Sequence, residues 1–242
     1  MKIGVIGLGL IGGSFALSAK KNLSDCSLYG MDNNPEHLSQ AFKLGIINQS
    51  LTPLNYSLMD VIILAIPVNA VLEIILTLLD QINDNALLID VGSTKEMICE
   101  KVKLHSKRNQ FLATHPIAGN ELSGPEASIE NLFNGKIQIL CETNKTRPDL
   151  LQWAESIFNS MGMKIRYMNP EEHDKKMAIV SHLSHISSFM LGKTVMDSEK
   201  DDQNILDFAG SGFESTVRLA KSSPEMWSSI FKDNREIIKS VS

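Results

Sequence analysis

The segment that most restricts this chain lies within its first fourteen residues. Lys2–Ile6 reads as a short strand. Gly7-Leu8-Gly9-Leu10-Ile11-Gly12 follows it directly, with Gly13-Ser14 behind. A helical pattern over Ile11–Lys20 comes next, and a second strand pattern, Ser27–Met31, ends at Asp32. Each glycine has its own reason to be there. Gly7 permits a tight turn, Gly9 lets a pyrophosphate approach the backbone, and Gly12 lets helix and strand pack closely. The helix start offers unpaired N–H groups and a partial positive charge to an anion. Asp32, 20 residues beyond Gly12, can accept hydrogen bonds from the adenosine ribose hydroxyls. Its charge would repel a 2′-phosphate, so the pattern predicts NAD rather than NADP. The run Gly7 to Gly12 and Asp32 form the expected cofactor site, and Pro67 is assigned to it as well. The alternative is a glycine-rich turn that binds nothing, and four features in register speak against that.

The pattern of short apolar runs and amphipathic stretches continues to about residue 165. Strands are expected over Asp60–Ile66, Ala86–Val91 and Phe111–Thr114. Helices are expected over Glu36–Leu44, Ala70–Leu79 and Lys95–Lys103. Lys136–Glu142 and Lys164–Tyr167 read as further strands around a helix from about Arg147 to Met161. Such alternation predicts βαβ units, a parallel sheet and helices on both faces. After Asn169-Pro170 the strand signal ends. Glu171–Val195 reads as one long helix, with Ala178, Val180, Leu183, Ile186, Phe189 and Met190 spaced for burial. The remainder reads as helical, broken at Gly210-Ser211-Gly212 and Ser223-Pro224. The expectation is a Rossmann-type α/β domain over residues 1–168 and an all-helical domain over 169–242.

Charge and composition narrow the function. With 28 acidic against 23 basic residues, the chain has no basic excess with which to neutralise a nucleic acid. Its apolar runs, such as Val61–Val68, are far shorter than the ~20 residues of a membrane span. No signal-peptide pattern precedes the first strand. Cys26, Cys99 and Cys141 are odd in number and widely spaced, which fits reduced thiols better than disulfides or a zinc cluster. These features predict a cytoplasmic protein that handles a small molecule.

Ligands of open α/β sheets bind beyond the carboxyl ends of the strands. Asp90-Val91-Gly92-Ser93-Thr94-Lys95-Glu96 and Thr114-His115-Pro116-Ile117-Ala118-Gly119 both fall there. Ser93 and Glu96 have capping-box spacing, so Ser93 reads first as a helix cap. His115 is placed to act as a general base, since imidazole titrates near working pH; a structural histidine is the alternative. His182 and His185 are three apart and share a helix face, with His173 earlier in the same segment. They lack metal-site spacing, and no metal is expected. A polar wall facing an anionic substrate and a set of buried, satisfied histidines are the two readings left. Arg218 is either a surface partner of Glu214 or a fork for a substrate carboxylate.

Taken together, these motifs resemble the prephenate/arogenate dehydrogenase family of tyrosine biosynthesis. The resemblance runs through Gly7–Ser14, Asp32, Asp90–Lys95, His115–Gly119 and Ser123-Gly124-Pro125-Glu126-Ala127. It continues through His173-Asp174, Ser181-His182-Leu183-Ser184-His185 and Phe208-Ala209-Gly210-Ser211-Gly212-Phe213, then Arg218 and Trp227. It implies an NAD-dependent oxidative decarboxylation of prephenate, or of arogenate, in a homodimer. It also implies roles. His115 is the catalytic base, and Ser93 orients it and the substrate hydroxyl. Arg218 holds a substrate carboxylate, and His182, His185 and Thr114 line the substrate site. Ser184 stands where the family commonly has a proline, and the chain is expected to be short at the end that builds the dimer. Competing readings are a β-hydroxyacid dehydrogenase and a non-catalytic NAD-binding redox sensor. The first needs a catalytic lysine, but Lys175, Lys176 and Lys193 lack its motif. The second gives no reason for His115, the paired histidines and Arg218 to occur together.

Overall fold

A computed structural model describes residues 1–201 and 204–241. The chain divides into two compact units, Met1–His173 and Asp174–Ser242. The first is a Rossmann-type α/β unit and the second is helical.

The strands of the first unit are β1 (Lys2–Ile6), β2 (Ser27–Met31), β3 (Gln49–Ser50) and β4 (Val61–Leu64), followed by β5 (Leu87–Asp90), β6 (Phe111–Ile117), β7 (Ile137–Cys141) and β8 (Lys164–Met168). They form one eight-stranded sheet in the order β3-β2-β1-β4-β5-β6-β7-β8. The connecting helices are α1 (Leu10–Asn22), α2 (Pro35–Lys43), α3 (Val68–Gln81), α4 (Glu96–Val102) and α5 (Pro148–Ser160). β4 and β5 are buried along their whole length, which is why they read as unbroken apolar runs rather than alternating ones. Val5, Ile63 and Ile89 of the sheet share a core with Phe15 of α1 and Phe158 of α5. Each such side chain contributes about 1.5–3 kcal/mol when fully buried. At α2, the Asn34 side chain accepts from the Glu36 N–H at 2.9 Å, and Pro35 fills the first helical position.

Two features depart from the sequence expectation. The sheet is not wholly parallel, because β6 runs antiparallel to β7. β6 also continues past the expected end at Thr114. Only Phe111–Ala113 pair with β5, while Ala113–Ile117 pair with β7. The apolar run ends before His115-Pro116, so pattern alone reads a loop where β7 supplies a strand partner. β3 escapes the pattern as well: its two residues are polar and exposed.

α6 (Pro170–Met177) carries the chain from the first unit into the second. A π-helical turn at Ala178–His182 follows, then α7 (Leu183–Asp201), α8 (Ser211–Val217), α9 (Pro224–Asp233) and α10 (Arg235–Val241). The segment expected as one regular helix therefore contains a wider turn, which holds one more residue than an α turn. A stripe drawn at the α period leaves the buried side there. Val180 and Met190, expected inside, are 67% and 59% exposed, while His182 and Ser188 are buried. Gly210 begins α8, and Ser223 caps α9 with Pro224 in its first turn. Among the described residues no helix is long and apolar enough to cross a membrane.

Candidate active site

Strand register gathers most of the expected site of the first unit along one edge. Ile6 pairs with Met31 and with Leu64, Leu64 with Asp90, and Asp90 with Ala113. One line thus crosses the carboxyl ends of four strands and meets β6 at Ala113. Gly7, Asp32, Pro67, Ser93 and His115 all lie within three residues beyond it.

The three glycines of the turn differ in what excludes a side chain. Gly7 has φ +92°, and a Cβ there would lie 2.3 Å from the Ala65 carbonyl oxygen. At Gly12 a Cβ would meet the Gly7 carbonyl oxygen at 1.9 Å. Both positions are dictated by the fold itself. Gly9 is not: the nearest atom to a Cβ there is the Gly124 amide nitrogen at 4.0 Å. The protein leaves open space exactly where the helix begins, and no side chain caps α1. Leu8 and Leu10 bury their side chains, and Ile11 packs partly on the core. The Leu8 N–H donates to Asp32 Oδ2 at 2.8 Å, so that amide is already engaged. The first-turn N–H groups of Leu10, Ile11 and Gly12 have no carbonyl one turn back within the helix. Asp32 Oδ1 accepts from the Asn34 N–H at 2.9 Å, and the His37 ring lies 3.5 Å from the same oxygen. Each carboxylate oxygen keeps capacity for a further donor. Pro67 is exposed and immediately precedes α3. An open cradle, free helix N–H groups and a fixed carboxylate fit a dinucleotide.

The loop after β5 is held by a buried ion pair. Lys95, with no exposed surface, donates through Nζ to Asp90 Oδ2 and to the Thr114 carbonyl oxygen, the latter at 2.8 Å. Asp90 Oδ1 accepts from the Gly92 N–H at 2.9 Å. Burial pushes the Asp90 carboxyl up, against the opposing pull of Lys95 and the Gly92 N–H. Ser93 sits half-buried on this loop. It does not cap α4: that helix starts at Glu96 after Lys95, with no side-chain cap. Thr114 is fully buried and its hydroxyl donates to the Asp90 carbonyl oxygen at 2.8 Å. Expected at the substrate, Thr114 instead stitches β6 to β5.

His115 is half-buried on β6, and its Nδ1 lies 2.8 Å from Nε2 of the fully buried His173 on α6. The rings meet edge to face, with centroids 5.0 Å apart. Sequence position grouped His173 with His182 and His185, although on a straight helix it lies half a turn from His182; its ring contacts His115. No sequence signal predicts that pairing.

In the second unit His182 and His185 pack against Trp227, and the Arg218 charge acts on His185. His185 stacks on the indole with centroids 3.5 Å apart, and His182 meets it edge-on at 6.0 Å. The hydrogen bonds determine the tautomers. Asn234 Nδ2 donates to the Asp174 carbonyl oxygen at 2.8 Å and faces His182 Nδ1 at 3.0 Å. His182 Nδ1 therefore accepts, and its Nε2 carries the proton when the ring is neutral. His185 Nδ1 faces the Ser181 carbonyl oxygen at 3.0 Å and so carries the proton, leaving Nε2 as an acceptor. Burial holds the His185 ring below its usual pKa, the Ser181 bond opposes this, and the nearby Arg218 charge adds to it. Arg218 is exposed at the end of α8. Asn234 escaped the sequence reading altogether. Among the described residues no group of three His, Cys, Asp or Glu side chains is set to hold a metal.

Comparison with known proteins identifies the family. The family described as "Prephenate dehydrogenase, nucleotide-binding domain" matches residues 15–167, and "Prephenate dehydrogenase, dimerization domain" matches 169–242. The chain is 34% identical over 236 residues to prephenate dehydrogenase of Bacillus subtilis, covering 96% of this chain and 64% of that protein. It is 32% identical over 241 residues to prephenate dehydrogenase of Lactococcus lactis, covering 98% and 66%. The chain thus spans about two thirds of the length of these curated relatives. The crystal structure of prephenate dehydrogenase from A. aeolicus, in complex with hydroxyphenyl propionate and NAD+, superimposes with a TM-score of 0.90. Its identity is 34%, covering 99% of this chain and 85% of that one. Two matched family domains in tandem and relatives aligned along nearly all of its length show that the chain belongs to the prephenate dehydrogenase family.

Proposed function

We propose that this chain oxidatively decarboxylates prephenate to 4-hydroxyphenylpyruvate with NAD. The observation that carries the reading is His115, held at Nδ1 by His173 on the sheet edge that also bears the glycine turn. Residues 1–168 hold the cofactor, and residues 169–242 bind substrate and form a homodimer in the cytoplasm.

The N–H groups of Leu10, Ile11 and Gly12, beside the open space at Gly9, would hold the pyrophosphate of NAD. Asp32 takes the adenosine ribose hydroxyls. When bound, NAD would supply the hydride acceptor. His115 accepts the C4 hydroxyl proton at Nε2, which requires a proton on Nδ1 and an acceptor at His173 Nε2. The C4–H electron pair leaves as hydride and C4 becomes a carbonyl. The ring carboxylate then leaves as carbon dioxide, and its electron pair makes the ring aromatic. Ser93 orients the hydroxyl toward His115. Arg218 forks onto a substrate carboxylate, because burying an unpaired anion is costly. His182 offers an N–H and His185 a lone pair, so the two histidines bind different groups of the substrate.

The test is an absorbance assay of cofactor reduction, with prephenate or arogenate and with NAD or NADP. Reduction of NAD by prephenate is expected. No reduction with either substrate would falsify the activity. A preference for NADP would overturn the role of Asp32, and a preference for arogenate would change the substrate but not the chemistry.

A further inference from the structure

Lys95 is among the largest side chains with no exposed surface, and the chemistry above does not use it. A buried lysine is an expensive way to fill space. A buried ion pair is often no more stabilising than apolar groups of the same volume, so its value lies in what it holds still. Two of its hydrogen bonds reach different elements, the loop after β5 and strand β6. The bond to Asp90 Oδ2 closes the loop Val91–Thr94, which carries Ser93, back onto the end of β5. The bond to the Thr114 carbonyl oxygen grips β6 at the residue before His115. The Thr114 hydroxyl to the Asp90 carbonyl, and the Gly92 N–H to Asp90 Oδ1, complete the stitching at the same point. Asp90 and Ala113 are the last register pair of β5 and β6. Beyond them no ladder bond joins the two strands, yet Ser93 and His115 both lie beyond them.

We infer that Lys95 is a positioning residue that sets Ser93 against His115, replacing the ladder where β5 and β6 part. This rests on the proposed dehydrogenase activity for its kinetic readout but not for its structural one. The glycine turn follows β1, two strands away from β5, so the clamp acts on the reacting groups and not on cofactor binding.

Lys95→Met alone leaves Asp90 buried without its partner and risks unfolding. The decisive variant is therefore Asp90→Asn with Lys95→Met, which removes both charges. Three quantities are measured on the full chain: NAD affinity by calorimetry, kcat and KM with prephenate, and the ring 15N shifts of His115. Those shifts are assigned by their loss in His115→Asn. Loss of alignment on the order of 1 Å lowers turnover by tenfold or more. The double variant is expected to bind NAD as the parent does, with KM little changed and kcat down at least about tenfold. The His115 ring is expected to pass from one tautomer to an average of two. Parental kcat with parental ring shifts would overturn the inference. So would a loss of NAD affinity in step with kcat, since the pair would then be holding the whole sheet edge. If the parent chain itself fails to reduce NAD with prephenate, the activity reading falls while the ring shifts still decide the role of Lys95.

Discussion

In the first unit the candidate site hangs from strand ends that recur along the sequence; in the second it is gathered from helices far apart. Leu8 and Asp32 meet because β1 and β2 are parallel and in register. Asp90 and Lys95 are five residues apart and close a single loop. His182 and Asn234, by contrast, are separated by 52 residues, and no periodicity announces their bond. A βαβ repeat returns every strand end to the same edge, so motif position alone predicts co-location. Helices have no such rule; their faces meet according to packing. The electrostatics differ in the same way. The sheet edge buries an ion pair, whereas the helical unit packs imidazole rings whose hydrogen bonds run to carbonyl and amide partners.

The largest test of this contrast is His115→Asn. If the sheet edge holds the chemistry, kcat falls about 10²–10⁴-fold while NAD affinity stays near parental, as steady-state rates and calorimetry will report. A mild loss would move the base elsewhere, the helical histidines being the first suspects.

The glycine turn separates fold from function by one methyl group. Gly12→Ala forces a Cβ to within 1.9 Å of the Gly7 carbonyl oxygen, and the overpacking should cost at least about 1–3 kcal/mol in denaturant unfolding. Gly9→Ala meets nothing closer than 4.0 Å in the protein, so stability should hold while NAD affinity drops. Undiminished NAD binding by Gly9→Ala would break the cradle reading.

For the helical unit, Asn234→Leu removes the donor shared by Asp174 and His182. Loss of these two buried hydrogen bonds should cost about 1–3 kcal/mol, read as a lower Tm. Arg218→Ala is smaller in stability but not in binding: charge-assisted bonds of about 1.5–3 kcal/mol predict KM raised tenfold or more with kcat little changed. An unchanged KM would return Arg218 to a surface role.

The smallest effect is the pH dependence of His185. Its pKa is lowered in the folded chain, so on acidification the unfolded state binds the proton first. Stability is then complete above the ordinary value of 6.5 and is lost as pH falls toward the folded value. His185→Phe keeps the stacked ring and should flatten the Tm-versus-pH curve below 6.5 relative to the parent. Identical slopes would show that the histidine is not desolvated.

Much of the first unit was legible because its determinants are local. Gly7, Gly12 and Asp32 need only a strand, a turn and a helix in order. Ser93 and His115 were singled out because they follow strand-like runs. Their surroundings were not legible. The capping-box spacing of Ser93 suggested a helix cap that Lys95 displaces. Thr114 looked available but its hydroxyl is bonded to a neighbouring strand. His173 was grouped with His182 and His185 by nearness in sequence, and neither nearness nor helical period anticipates where its ring packs. In the helical unit the π turn at Ala178–His182 shifted the buried stripe, and Val180 and Met190 faced outward.

The sequence by itself determined the order of strands and helices, the three-glycine turn, the acidic strand end and the family to which these motifs point. Each follows from chemistry within a few residues: backbone freedom at glycine, apolar period, and charge at a strand end. Only the tertiary structure decided that Lys95 is buried between the end of β5 and strand β6, that His115 leans on His173, and that His182 and His185 present opposite tautomers. These depend on which atoms lie within about 3 Å after the chain has packed. A hydrogen bond between residues 58 apart leaves no trace in spacing.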